Sequence, residues 1–154
     1  MNEIRLLNSI RDHEGYRSEP YRDHLGFWTV GYGHLIENTE LRQFIKQRTI
    51  GNLLTYLIDP DHHEQWLIAD VTQAIQDAEQ WLGATFATLT DARQEVVVEM
   101  AFQMGASRLA GFKKFRGAIV AAAWGEAVAE MEDSKWARQT SGRASALMDK
   151  FRAG

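Results

Sequence analysis

Glu14, Asp23 and Thr29 fall within one stretch, His13 to His34, that is rich in glycine and aromatic residues. Two carboxyls in different settings, followed by a hydroxyl, are the parts that acid–base cleavage of a glycosidic bond requires. One carboxyl delivers a proton to the leaving oxygen and the other activates water. Glu14 closes an amphipathic helical pattern, so it faces the negative end of the helix macrodipole, which disfavours a charged carboxylate there. Partial burial adds to that effect, and a group that keeps its proton suits a general acid. Asp23 lies in a Gly-rich turn, where a solvated carboxylate could activate water. Thr29 sits on the strand that follows, with a hydroxyl able to hold that water. Each residue also has a plainer reading: an exposed helix-end glutamate, a turn aspartate that bonds its own backbone, and a threonine chosen for β-propensity. Their order and spacing carry the weight.

The elements that must position these groups are legible as periodicity. Residues 2–14 predict a helix, with Asn2 as cap, Glu3 in the first turn, an apolar stripe of Ile4, Leu7 and Ile10, and Gly15 as the stop. Over residues 16–36 short aromatic and β-branched pieces (Tyr21, Phe27 to Val30, Tyr32) alternate with Gly26, Gly31 and Gly33. That pattern predicts a small antiparallel sheet, with Asp23 to Gly26 as its hairpin turn. Thr39 to Arg48 predicts a short helix. Asp59-Pro60-Asp61 opens another that runs to about Trp81, with Trp66, Ala69, Ala74 and Ala78 near its inner face. Thr90-Asp91 caps a strongly apolar stretch, Val96 to Met104, expected deep in the core. Short helices follow, punctuated by Gly105, Gly111, Gly117, Gly125 and Gly142. The expected architecture is α+β and mostly α, a single domain over 1–154. A small β-containing lobe spans residues 15–60, and a larger helical lobe comprises 1–14 plus 61–154.

Composition narrows the chemistry. With no cysteine, neither a disulfide framework nor a thiolate metal site is available. His24, His34, His62 and His63 invite a metal reading. No His-Glu-x-x-His pattern is present, however, and the adjacent His62 and His63 point different ways on a helix, so no metal is expected. Gly31-Tyr32-Gly33 lacks the third glycine of a dinucleotide loop. The amino-terminal residues are charged and amphipathic, and read as neither a signal peptide nor a membrane anchor. Net charge is −4 but uneven. Residues 1–100 carry 8 Lys/Arg against 16 Asp/Glu, a net of −8, and residues 101–154 carry 9 against 5, a net of +4. The basic end would attract a polyanion, whether nucleic acid, acidic lipid or an anionic cell-wall polymer, or is simply a solvated surface.

The segment from Glu14 to Leu35 resembles the phage lysozymes of the T-even type, glycoside hydrolase family 24. The likeness is carried by Glu14-Gly15, Tyr21-Arg22-Asp23, Gly26, Thr29, Gly31, Gly33, His34 and Leu35, all in register. A second block, Phe102-Gln103-Met104-Gly105 with Ala110-Gly111-Phe112, resembles the family's core helix and next turn. A third, Trp136 with Gln139-Thr140 and Arg143-Ala144, resembles its closing segment. His13 stands where the family often has a second acid.

That resemblance implies a lysozyme-like fold with the active-site cleft between the two lobes. It also implies an endolysin muramidase that hydrolyses the β-1,4 bond between N-acetylmuramic acid and N-acetylglucosamine, with inversion. Glu14 would be the general acid and Asp23 the general base or the stabiliser of the oxocarbenium ion. Thr29 would position the water, and Arg143 would pair with Glu14 and orient it. His34 and Asp70 would form a structural ion pair. Gly33, Leu35, Phe102 and Gln103 would line the cleft. No cofactor is called for. The partners implied are peptidoglycan glycan strands and, indirectly, a holin that releases a monomeric enzyme from the host cytoplasm to the wall in the periplasm. Nucleic acid and membrane insertion are not expected. Two rivals stay open: a lytic transglycosylase, and a non-catalytic glycan-binding or nucleic-acid-binding helical module.

Overall fold

Helix α1 (Glu3–Glu14) begins and ends where the capping chemistry places it. In this computed structural model, which describes residues 1–23, 25–36 and 55–154, Asn2 Oδ1 accepts the Arg5 amide at 2.9 Å. Gly15 closes the helix with φ 68°, its amide bonded to the Arg11 carbonyl at 3.0 Å. The buried face differs from the expected stripe. Leu6 and Ile10, one turn apart, are fully buried, Leu7 is half-buried and Ile4 is 74% exposed. Ile4 lies two positions from Leu6, hence on the opposite side of a 3.6-residue helix.

Strands β1 (Arg17–Arg22), β2 (Trp28–Gly31) and β3 (His34–Leu35) form one antiparallel sheet in that order. Arg22 pairs with Trp28, Tyr21 with Thr29 and Arg17 with Gly31, across an irregularity between Arg17 and Tyr21. On its other edge β2 pairs Thr29 with Leu35 and Val30 with His34. Tyr32 and Gly33 form the β2–β3 turn rather than strand. The short helix expected over Thr39 to Arg48 lies outside the described residues.

Helix α2 (Pro60–Leu82) starts with Pro60 in its first position and Asp59 as its cap, Asp59 Oδ1 accepting the Asp61 amide at 3.0 Å. Its inner face is His63, Leu67, Val71, Ala74, Ala78 and Leu82, spaced at three and four. Ala69, expected on that face, is exposed, because it sits two positions from Leu67 and Val71, off the stripe. His63 is the unexpected member. The Leu57 carbonyl, 2.6 Å from Nε2, can only accept, so Nε2 carries the hydrogen and Nδ1 faces the Tyr16 hydroxyl at 3.0 Å. Both ring nitrogens are therefore engaged by protein groups, which removes this histidine from any metal reading. Trp66 stacks on His34 with centroids 4.6 Å apart.

Beyond α3 (Ala84–Thr88), helix α4 (Asp91–Leu109) is capped by Thr90, whose side chain accepts the Arg93 amide at 3.4 Å. Residues Gln94 to Ala101 are buried on every side, so burial begins earlier than expected and ends earlier. Phe102, Gln103 and Met104 are only half-buried, and Gly105 interrupts the helix with φ 76° and ψ 161°. The core also contains charge. Glu95, with no exposed surface, accepts from Arg5 Nη2 at 2.6 Å and Nε at 2.9 Å. It lies 3.0 Å from Lys150 Nζ, which reaches Glu99 at 3.4 Å. Burial pushes the Glu95 carboxyl up, but the hydrogen bonds from Arg5 and Lys150 outweigh it and hold the group below its ordinary 4.5.

The chain closes with α5 (Lys113–Val120), α6 (Trp124–Glu132), α7 (Lys135–Gln139) and α8 (Ser141–Ala153). Phe115 and Phe151 meet with centroids 5.6 Å apart, and the Arg93 guanidinium lies 4.0 Å from the Trp124 ring centroid. The chain divides into two compact units. One comprises Met1–Leu6 with Val71–Gly154, the other Leu7–Asp70. Among the described residues no helix is long and apolar enough to cross a membrane.

Candidate active site

Glu14 is the last residue of α1 and is half-buried. The turn between β2 and β3 comes up against it. A β-carbon built on Gly33 would stand 3.2 Å from Glu14 Oε2 and 3.6 Å from its carboxyl carbon. Gly33 also has φ 82°, which L side chains rarely adopt. The bare backbone of this turn therefore forms one wall of the carboxyl's surroundings. Gly33→Ala should cost about 1–3 kcal/mol from the left-handed conformation. It should also displace the Glu14 carboxyl, with activity falling on the order of 10²-fold. Denaturant unfolding and turnover rates check both. Wild-type values in the two assays would show that the turn does not press on the carboxyl.

Asp23 follows β1 directly. Its Oδ1 accepts the Leu25 amide at 2.9 Å and the Phe27 amide at 2.8 Å, and its own amide bonds the Phe27 carbonyl at 2.9 Å. The turn-forming role and a chemical role thus coexist in one side chain. Two backbone donors lock the carboxylate's direction through one oxygen, which is how a loop residue is made rigid enough to act on a substrate. Thr29 lies on the opposite strand of the same hairpin, one rung in from the Arg22–Trp28 pair. It is buried, and its hydroxyl donates to the Phe27 carbonyl at 3.3 Å. That donation leaves the oxygen's lone pairs as acceptors for a water.

Tyr21 ties these groups together, and sequence reasoning missed it except as part of a motif. It shares the Thr29 rung and precedes Asp23 by two positions. Burial pushes its phenol above the ordinary 10.0. The Arg17 guanidinium, 4.3 Å from the ring centroid, opposes that shift, and the charges of Glu14 and Asp23 both add to it. Both carboxyls therefore lie within electrostatic reach of one phenol. The signal was available in the period-2 alternation, which puts Tyr21 and Thr29 face to face once the hairpin register is known.

His34 Nδ1 lies 2.8 Å from Asp70 Oδ2, joining β3 to α2, and Leu35 beside it is exposed. These groups belong to the Leu7–Asp70 unit. Phe102, Gln103 and Arg143 belong to the other. Gln103 Oε1 accepts the Trp136 indole N–H at 2.6 Å, which fixes the amide and leaves its NH2 as the donor end. Arg143 occupies the first turn of α8 and is half-buried.

A mostly helical chain with a three-stranded antiparallel sheet, a carboxyl ending the first helix and another locked in the next hairpin defines an α+β fold of lysozyme type. Residues 11–153 match the family model described as phage lysozyme. Probable T4-type lysozyme 2 of Dictyostelium discoideum is 30% identical over 97% of this chain and 96% of its own length. Probable T4-type lysozyme 1 of the same organism is 27% identical over the same shares. The pre-baseplate central spike protein Gp5 of Enterobacteria phage T4 is 29% identical over 91% of this chain and 26% of its own length. The chain belongs to the phage lysozyme family. It is accordingly a glycoside hydrolase, a lysozyme that acts on the peptidoglycan of the cell wall.

Proposed function

We propose that the chain is an endolysin muramidase that cleaves the β-1,4 bond between N-acetylmuramic acid and N-acetylglucosamine with inversion, in one lysozyme-like domain over 1–154. Glu14 protonates the leaving glycosidic oxygen. Asp23, held by the Leu25 and Phe27 amides, takes a proton from a water on the far side of the sugar ring, and Thr29 holds that water. An inverting pair leaves about 6.5–9.5 Å between the carboxyls for the water to stand in. Arg143 orients Glu14, while Gly33, Leu35, Phe102 and Gln103 line the saccharide path. The His34–Asp70 pair keeps β3 on α2. The reaction needs protonation and water activation alone, so side chains suffice without a cofactor. The enzyme works as a monomer, reaches the wall from the host cytoplasm through a holin, and causes host lysis.

The observation that supports this reading best is geometric: the Gly33 backbone walls the Glu14 carboxyl, and Asp23 is locked by two amides in the hairpin that follows. Product chemistry tests it. Digestion of purified sacculi should release muropeptides with free reducing ends, and proton NMR of the first turnover should show the α-anomer from the β-linkage. A dominant 1,6-anhydro product would replace hydrolysis with transglycosylation, and an initial β-anomer would rule out inversion.

A further inference from the structure

The hairpin face that carries Thr29 also carries a side chain that the proposed chemistry does not use. Tyr21 pairs with Thr29 and Arg22 with Trp28. The next rung is Asp23 with Phe27, the Asp23 amide donating to the Phe27 carbonyl at 2.9 Å. Side chains alternate along a strand, so residues two apart share a face. Phe27 therefore lies on the side of Thr29, and Arg22 and Trp28 lie on the other. Phe27 is 54% exposed. On the outer face the Trp28 ring is covered by the Arg22 guanidinium, 4.6 Å from its centroid. Among the described residues no ring or cation covers Phe27 in that way. The Phe27 backbone is engaged instead. Its amide donates to Asp23 Oδ1 at 2.8 Å, and its carbonyl accepts the Thr29 hydroxyl at 3.3 Å. The groups that hold Asp23 and Thr29 in place thus also set where this exposed ring begins.

We propose that Phe27 is a substrate-stacking residue, its ring carrying a pyranose of the glycan strand next to the sugar held at Asp23 and Thr29. One face of a hexosamine ring presents C–H groups alone. An aromatic ring can bury that face while the hydroxyls and the N-acetyl group stay in water or meet polar neighbours. Two residues along a strand span about 6.8 Å, of the order of one sugar unit with its linkage. A ring on Phe27 is therefore one unit along from a ring at Thr29. The contact needs no charge, which suits a rung shared with the Asp23 carboxyl. Stacking of this kind is the same in the ground state and the transition state, so it adds to binding and not to the chemical step. It favours strands that continue beyond the cleaved bond. The inference rests on the reading that the Asp23–Thr29 face meets the glycan, and it adds a binding position to that reading.

Kinetics on purified sacculi, with binding measured separately, test it. Phe27→Ala should raise the sacculus concentration for half-maximal rate about tenfold, the loss expected when substrate no longer buries one large side chain. It should leave kcat within about twofold, as removal of uniform binding does. Phe27→Tyr should recover most of the loss. Phe27→Leu, which keeps apolar bulk without a flat face, should stay close to Phe27→Ala. Thermal midpoints should remain near wild type, because the ring removed is exposed and the backbone that holds Asp23 is kept. In the Glu14→Gln background, co-sedimentation with sacculi should weaken about tenfold on adding Phe27→Ala, and titration with glycan strands stripped of their peptides should show the same loss. Normal cell clearing by Glu14→Gln would end the catalytic reading and leave this binding comparison intact. Equal half-saturation and equal sacculus binding with and without the ring overturn the proposal, as does no sacculus binding in either case. A fall in kcat at unchanged half-saturation overturns it too, since the ring would then serve only the Asp23 turn. A loss confined to intact sacculi would put a peptide stem on the ring in place of a sugar, and would equally overturn it.

Discussion

Glu14→Gln should slow clearing of permeabilised Gram-negative cells by at least about 10³-fold, within the range lost when a general acid is removed, and leave circular dichroism and thermal midpoint near wild type. Glutamine fills the same space beside Gly33 and keeps a carbonyl oxygen, so the packing survives. What it lacks is a proton acidic enough to reach a departing sugar oxygen. Asp23→Asn is the informative companion. Its side-chain carbonyl can still accept the Leu25 and Phe27 amides that Oδ1 accepts now, so the turn should persist while activation of water is lost. If the aspartate served only to form the turn, Asp23→Asn would clear cells normally. If the chain were a binding module with a dead site, Glu14→Gln would do so too, and clearing above a tenth of the wild-type rate by that variant would end the catalytic assignment.

The second large effect is on stability. Glu95→Ala should destabilise the protein by roughly 2–4 kcal/mol, toward the lower part of the range for breaking a buried ion pair. The moderation has a physical source. Arg5 keeps access to water and lies 3.9 Å from Asp91, and Lys150 retains Glu99 at 3.4 Å, so neither cation is stranded completely. Glu95→Gln preserves shape and one acceptor, and should cost less. The pH dependence follows from the depressed carboxyl. Its stabilising contribution is complete above the unfolded value, near 4.5, and disappears as pH falls through the lower folded value. Urea unfolding of the wild type and Glu95→Gln should therefore show a constant gap from pH 7 to about pH 5 that narrows at lower pH. A gap unchanged down to pH 3 would mean that the carboxylate charge contributes nothing.

Glu95 also shows where sequence reading stops. Val96 to Met104 reads as an apolar run, and the helix and its Thr90 cap follow from it directly. That Glu99 inside this run and Glu95 just before it are both buried depends on Arg5 and Lys150, which come from distant parts of the chain, and no local pattern reports them. The same limit applies to α1. Asn2 and Gly15 signal its ends through backbone chemistry, but which of Ile4, Leu6 and Leu7 turns inward depends on what covers the helix. Around the candidate site the order ran differently. The hairpin of Asp23 and Thr29 was legible because glycine turns and period-2 alternation are local. The electrostatic closeness of Tyr21 to both acids was not, because it needs the cross-strand register and the end of α1 in one place. Ala69 is a simpler miss, a small residue assigned to the wrong side of a long helix.

The first six residues belong to the same compact unit as Val71–Gly154, although they are joined in sequence to the other one. They bring Leu6, fully buried there, and Arg5, the principal cation on Glu95. A break in the polypeptide after Asp70 thus does not separate two self-sufficient pieces. The downstream fragment is left with an acid in its interior and a hole where a leucine belongs. A split protein or rearranged gene built from this chain would have to carry Met1–Leu6 along with the downstream half, grafted onto it or supplied as a peptide.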